Sequence, residues 1–393
     1  MNDAARRGPA LVEAIAGRRR PCALVDVEAF DRNLERLMDP LGAHQTLRVA
    51  SKSLRVPALI LRALERDRVE GVLAYHVREV EQLVELGVDD VYLAYPPAPE
   101  DVAPLVGLAE RCRRLIVTVD AAPVVDALGK EAAAQGVVVD VAVDVDLSWR
   151  KGGLHLGVRR SPVRSGVAAV DVGRVVARWS SLRLTAVLGY EAQVAGVQDK
   201  TGSLQDLAVP MLKARSVKLA MARRKEVVDA LRADGHDIQV VNGGGTGSVH
   251  TTGQDPMVTE VAAGSGLFCP HLFDGYDRLD LEPAAFFALA VVRCSDAGMA
   301  TCYGGGFVAS GSAGPDRLPR PWWPEGLGVL SMEGFGEVQT PFTLPRGVSL
   351  AWGDTVLCRH AKAGELMEHV DTVLLVEGGE VTSEVPTLRG LRR

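Results

Sequence analysis

Thr46-Leu47-Arg48-Val49-Ala50-Ser51-Lys52-Ser53 is the stretch from which the rest of the chain is read. Its closely spaced apolar residues suit a strand buried on both faces. The run ends on a lysine and passes into an apolar helical stretch from Val56 to Arg66. An arbitrary lysine at such a turn is an ordinary solvated side chain. At the carboxyl end of a parallel strand, however, it stands where α/β barrels place their chemistry. The question is whether the chain repeats the unit.

It does so from residue 45 to about 268. Val69–Tyr75, Asp90–Tyr95, Leu115–Val119, Val138–Val145, Leu182–Tyr190, Ile238–Asn242 and Thr259–Gly264 read as further strands rich in Val, Leu and Ile. Helical stretches follow nearly all of them. Val77–Leu86 carries Val77, Val80, Leu83 and Val84 as a one-sided stripe. Ala122–Gln135 and Val163–Trp179 behave similarly, and Leu204–Ala233 is long and strongly charged. Eight such units predict an α/β fold of the (β/α)8, TIM-like barrel type over residues 21–284. An open, doubly wound sheet shares the same local pattern.

Beyond Phe268 the texture changes. Ala285–Cys294, Val329–Leu330, Leu350–Trp352, Thr355–Cys358, Thr372–Val376 and Glu380–Val385 are short strand-like runs between glycine and proline turns. They predict a C-terminal β domain over residues 285–393, with residues 1–20 as a candidate partner. Pro315 to Pro324, with Trp322 and Trp323, reads as a loop packed on the barrel or on a second subunit.

Composition narrows the classes. The formal charge is −6 over 393 residues, with 24% charged and 47% hydrophobic residues, so neither nucleic acid nor an anionic membrane is an expected partner. No apolar run approaches the roughly 18 residues of a membrane span. Six scattered cysteines without a C-x-x-C pair fit a reducing, cytoplasmic setting.

The second stretch with chemical content is Val240-Val241-Asn242-Gly243-Gly244-Gly245-Thr246-Gly247-Ser248. Glycines let backbone N–H groups turn inward and let an anion approach closely. A flexible turn is the plain alternative. This run, though, follows the seventh expected strand, and Ala263-Gly264-Ser265-Gly266 follows the eighth, the positions where barrels bind phosphate. A lysine at one strand end and a phosphate cup at two others suit pyridoxal 5'-phosphate. Lys52 would hold its aldehyde as a Schiff base, and the cofactor would act as an electron sink.

Pro21-Cys22-Ala23-Leu24-Val25-Asp26, Asn33-Leu34 and the Lys52 stretch resemble the opening of the fold-type III pyridoxal phosphate enzymes. Within them the chain is most similar to the D-threonine aldolase and D-serine dehydratase branch. Gly243 to Thr246, Thr259-Glu260 with Gly264-Ser265, Trp352 to Val356, His360 and Leu388-Arg389-Gly390 extend the likeness over nearly the whole chain. The resemblance implies an alanine-racemase-type barrel with a β domain and a homodimer with active sites near the subunit interface. It places the cofactor on Lys52 and its phosphate among Gly243, Gly244, Gly245, Thr246, Gly264 and Ser265. It also implies Tyr190, which ends strand six, as a cofactor neighbour, with Gln193 as a further ring contact. An arginine near the ring oxygen is expected after strand five, where Arg150 and His155 compete. Asp144 and Asp146 could instead pair with Arg150 or Arg159.

The departures from that pattern bear on the reaction. The branch binds a divalent metal through a His-x-Cys or His-x-Asp motif, but this chain reads His360-Ala361-Lys362. An ammonium cannot coordinate a metal. His360 is thus the one candidate ligand, and metal dependence is placed in doubt. Alternatively, Lys362 stabilises charge at the substrate's β-oxygen with His360 as acid or base, or Arg359, His360 and Lys362 form a basic rim for the substrate carboxylate. The expected function is a pyridoxal-phosphate-dependent lyase on a β-hydroxy amino acid of D configuration, by aldol cleavage or by dehydration and deamination. The rivals are an amino-acid racemase, with Tyr303 as second base, a non-catalytic pyridoxal phosphate carrier and a cofactor-free phosphosugar-binding barrel.

Overall fold

The computed structural model describes residues 3–202, 204–295 and 298–392. Eight parallel strands close into a barrel: Thr46–Ala50, Val69–Ala74, Asp90–Leu93, Arg114–Val119, Val139–Asp144, Leu182–Gly189, Val240–Gly243 and Glu260–Ala263. The last pairs with the first, Val261 opposite Leu47 and Ala263 opposite Val49. That pairing decides for the barrel over an open sheet. Each strand is one of those expected from the sequence, with ends moved by a residue or two: most are shorter, while Arg114–Val119 starts one residue earlier and Val240–Gly243 runs one residue further.

Val, Leu and Ile on the outward faces of these strands pack under the helices in one continuous core. The barrel interior is different. Arg48, fully buried, pairs with Asp90 at 2.9 Å and Glu260 at 2.6 Å. Asn242 donates to Glu260 at 2.7 Å. A charge-paired plug therefore occupies the barrel interior beside a buried apolar cluster that includes Tyr92, Ile116, Ala142, Ala186 and Val240. Buried charges are tolerated only when paired in this way.

The β domain is a nine-stranded sheet built around the long strand Ala285–Ser295. Cys22–Asp26 lies inside this sheet, antiparallel to Ala285–Ser295 and parallel to Thr372–Glu377. The chain thus starts in the sheet, winds the barrel and returns. Helix Asp3–Ala14 covers one sheet face, with Leu11 and Ile15 packed against Phe286, Leu357, Trp322 and Trp323. Arg320–Trp323 is a strand paired with Thr355–Arg359, where the sequence reads as a loop, because the two tryptophans are needed under that helix. Leu350–Trp352 is not a strand. Ala351 donates its N–H to the Asp354 carboxylate, a side-chain-closed turn that leaves Trp352 exposed. Among the described residues no helix is long and apolar enough to cross a membrane, and all six cysteines are free.

Candidate active site

At the carboxyl end of the first barrel strand the backbone tightens into a single turn, Ser51–Ser53. Arg55 then takes a left-handed conformation, φ 57°. Arg55 donates to the Lys52 carbonyl at 2.9 Å and pairs with Glu368 of the β domain at 2.8 Å. This knot points the Lys52 side chain into a cleft across the barrel mouth. The same cleft is lined by Tyr95, Asp144, Arg160, Tyr190 and the glycine loops after strands seven and eight.

Those loops form a cup. A Cβ at Gly247 would collide with the Ala195 carbonyl, and one at Gly264 would lie 2.5 Å from the Ala50 carbonyl. Gly244 has φ +91°, a conformation open to glycine at no steric cost. The Thr246 hydroxyl accepts the Gly266 N–H at 2.9 Å and so ties the two loops together. Beneath them Glu191 accepts from Gly244 N–H at 3.2 Å, from Ser248 at 3.4 Å and from Thr252. Arg224, buried, neutralises it at 3.1 Å and also pairs with Asp255. The cup is thus held rigid from behind, and its open side is backbone, small side chains and hydroxyls. It fits a phosphate, and Lys52, at the end of the strand that borders the cup through Gly264, fits the aldehyde of the same cofactor.

Three polar groups of the cleft carry displaced acidities. Burial would raise the Tyr95 hydroxyl, but the Lys52 ammonium, which donates to it at 3.1 Å, and the nearby Arg160 outweigh burial and hold it below the usual phenol range. Burial, reinforced by Asp120, pushes the Asp144 carboxyl up to about 7 against the pull of Arg160. Burial and Glu191 push the Tyr190 hydroxyl up to about 12. A carboxyl titrating near neutrality inside a cleft is the kind of group that enzymes use to exchange protons.

The cleft therefore unites Lys52, Tyr190, Gly243, Gly244, Gly245, Thr246, Gly264 and Ser265. Arg150, His360 and Lys362 are not among its lining side chains. Arg150 stands on the hairpin formed by Trp149–Lys151 and Leu154–Leu156, and pairs with Asp146 at 2.8 Å. His155 bonds the Val158 carbonyl at 3.1 Å, and Gln193 donates to the Leu147 carbonyl at 2.8 Å. The arginine after strand five that does reach the cleft is Arg160, beyond the hairpin. Which arginine turns inward depends on how the hairpin folds, so local sequence carried no signal for it. Tyr95 and Asp144 were marked only by their places at strand ends.

His360 is buried, with Nε2 donating to the Ala363 carbonyl at 2.6 Å. Burial drives its pKa down to about 3, so the ring is neutral. Lys362 donates to Ser310, at 3.2 Å to the carbonyl and 3.3 Å to the hydroxyl. Among the described residues no three His, Cys, Asp or Glu side chains are grouped to hold a metal ion. This donor set does not fit a divalent metal.

A closed parallel barrel with a lysine at the first strand end and a glycine cup at the last two defines a class of protein. Residues 25–271 match the family described as alanine racemase, N-terminal domain, and the chain belongs to that family. It is 26% identical over 253 residues to the 3-hydroxy-D-aspartate aldolase of Paracoccus denitrificans (strain Pd 1222), covering 63% of this chain and 60% of that protein, less than two thirds of its length. It is 26% identical over 306 residues to the D-threo-3-hydroxyaspartate dehydratase of Delftia sp. (strain HT23), covering 76% and 74%. The crystal structure of D-threonine aldolase from Filomicrobium marinum shares the fold, with a TM-score of 0.80 at 24% identity over 95% of this chain and 96% of that one. The resemblance read from the sequence holds at the level of family and fold.

Proposed function

We propose that this chain is a pyridoxal-phosphate-dependent lyase acting on a β-hydroxy amino acid of D configuration. The observation that carries the reading is that Lys52 and the Gly243–Thr246 cup line one cleft at the barrel mouth. The aldolase and dehydratase names of the two relatives point to the same substrate class. When bound, the cofactor supplies an electron sink for the bond that breaks at the substrate α-carbon.

The chain's own residues do the rest. Gly244, Gly245, Thr246, Gly264 and Ser265 would hold the phosphate end, with Tyr190 and Arg160 lining the same cleft for the ring. Lys52 Nζ would anchor the cofactor aldehyde, and as a free amine it would take or return a proton at the substrate α-carbon. Asp144, with its carboxyl pushed to about 7, is poised across the barrel mouth to hold or release a proton near neutral pH. No step is assigned to a metal, because His360 and Lys362 do not form a ligand set. The small-molecule substrate is the one partner that the cleft requires. A homodimer is the reading that the family resemblance implies, supported by the exposed neighbours Tyr303 and Val338 on the β domain, and a cytoplasmic setting that of the six free cysteines.

The test is incubation of the purified protein with D- and L-threonine, serine and 3-hydroxyaspartate, with and without a chelator, scoring aldehyde, keto acid and chirality together. Aldehyde or keto acid from D substrates, unaffected by chelator, is expected, together with visible absorbance that Lys52→Ala abolishes. Racemisation without cleavage would replace the lyase by a racemase. A colourless protein that cannot be reconstituted would overturn the cofactor assignment, and complete loss in chelator restored by added metal would overturn the metal-free mechanism.

A further inference from the structure

Tyr95 ends up between two cations. Lys52 Nζ lies 3.1 Å from its hydroxyl and 5.7 Å from its ring centroid. The Arg160 guanidinium carbon stands 5.6 Å from the same centroid. Both contacts suit a neutral ring as cation–π pairs, and both also favour the phenolate over the phenol. The groups facing Tyr95 come from three elements: Lys52 after strand one, Arg160 beyond the hairpin, and Tyr190 at the end of strand six. Asp144 faces Arg160 from strand five. The two tyrosines of the cleft are driven in opposite directions, Tyr95 toward ionisation and Tyr190 away from it.

An ordinary lysine is protonated at neutral pH and has no lone pair to offer. Whichever reaction this site performs, Lys52 must shed a proton before it can attack or act as a base, and regain one before it can act as an acid. We propose that Tyr95 is a catalytic residue of this site, the group that exchanges that proton with Lys52 directly.

The step balances without a co-reactant. A proton moves along the 3.1 Å contact, breaking an Nζ–H bond and forming the phenol O–H bond. The ammonium–phenolate pair becomes a neutral amine and a neutral phenol, and the freed electron pair stays on Nζ. In a cleft drier than water, the neutral pair gains on the charged one because charge separation loses its hydration. Arg160 opposes it by stabilising the phenolate.

The inference rests on the cofactor reading of Lys52, and two measurements keep their failures apart. In protein freed of small molecules, tyrosinate absorbance is followed against pH. One of the six tyrosines is expected to ionise ahead of the rest. That early step should vanish in Tyr95→Phe and move to higher pH in Lys52→Met. In the holoenzyme, Tyr95→Phe keeps the ring against Arg160 but removes the hydroxyl. It should lower kcat at neutral pH on the order of 10²-fold, move the acid limb of the kcat profile to higher pH, and leave KM and cofactor uptake nearly unchanged. Six tyrosines ionising together, or a Tyr95→Phe enzyme with the wild-type kcat profile, overturns the proposal. Failure of the wild-type protein to take up pyridoxal phosphate overturns the cofactor reading instead, and the tyrosine titration still reports on the pair.

Discussion

Gly364 lies against the backbone of Ser53: a Cβ on Gly364 would sit 2.6 Å from both the carbonyl carbon and the carbonyl oxygen of Ser53. The His360–Gly364 turn of the β domain therefore bears on the residue next to Lys52. Arg55, bridging the Lys52 carbonyl and Glu368, fastens the same joint. Although the lining of the cleft comes from the barrel, the angle at which Lys52 enters it is set partly by the β domain.

Gly364→Val should consequently act on the cofactor anchor from outside the cleft. Forcing a side chain into filled space costs about 1–3 kcal/mol, and here the yielding element is the Lys52 turn. Denaturant unfolding should show that loss, and titration with pyridoxal phosphate should show weaker uptake. Gly107→Ala, whose new methyl meets only the Gln135 side chain at 3.5 Å, should leave both unchanged. Equal uptake by Gly364→Val and wild type would mean that the joint does not position Lys52.

The charged plug in the barrel makes a separate demand. Arg48→Met leaves the Glu260 carboxylate and part of Asp90 buried without their guanidinium, a change that typically costs about 3–5 kcal/mol. Burial raises the Asp90 carboxyl, but Arg48 and Arg114 outweigh it and hold Asp90 below its ordinary range. Its contribution to stability is therefore present above the ordinary carboxylate range and is lost as pH falls through the lowered folded value. The gap in urea stability between wild type and Arg48→Met should be widest near neutrality and should narrow on acidification. A gap that grows in acid would contradict this account.

Much of this architecture was legible before any coordinates because parallel barrel strands are buried on both faces and announce themselves as short Val-, Leu- and Ile-rich runs. Lys52 and Gly243–Thr246 were legible for a related reason, since their positions at strand ends carry meaning by themselves. What escaped depended on loops. Arg150 and Arg160 are both arginines after strand five, and only the Trp149–Leu156 hairpin separates the one that caps Asp146 from the one that meets Tyr95. Strands Met299–Tyr303 and Gln339–Thr343 pair along their full length, yet Thr, Gln and Pro give them no apolar signature. The burial of His360 depends on Phe268, a ring from a distant part of the chain.

The histidines at the domain junction predict a pH response of the opposite origin to that of Asp90. Burial lowers His360 to about 3 and His271 to about 4. Both rings stay neutral in the folded protein, while in the unfolded chain they take up protons below about 6.5. Stability contributed by keeping them neutral is complete above that value and declines as pH falls toward 4, by up to about 1.4 kcal/mol per pH unit for each ring. His360→Gln keeps a neutral donor for the Ala363 carbonyl and removes the titration. Its urea midpoint should fall less steeply between pH 6.5 and 4.5 than that of the wild type. An unchanged slope would show that His360 is not the neutral, buried ring described.

Arg160 and Arg150 give the sharpest separation between residues that looked equivalent in the sequence. Arg160 lies in the cleft over the Tyr95 ring and pulls on the Asp144 carboxyl. Its removal should therefore change three things together. Activity should fall by roughly 10²-fold, the scale expected when a positioning contact at the reacting centre is lost. Asp144 should titrate at still higher pH, and Tyr95 should lose part of what favours its ionisation. The pH–rate profile of Arg160→Met should accordingly shift upward on its acid side. Arg150, by contrast, shares Asp146 with Arg164, which stands at 2.7 Å, so Asp146 keeps a partner when Arg150 is gone. Arg150→Met should retain cofactor spectrum, pH profile and kcat within a few-fold, with at most about 1 kcal/mol lost from a half-exposed ion pair. Comparable losses in both variants would mean that the hairpin, rather than Arg160 itself, shapes the cleft.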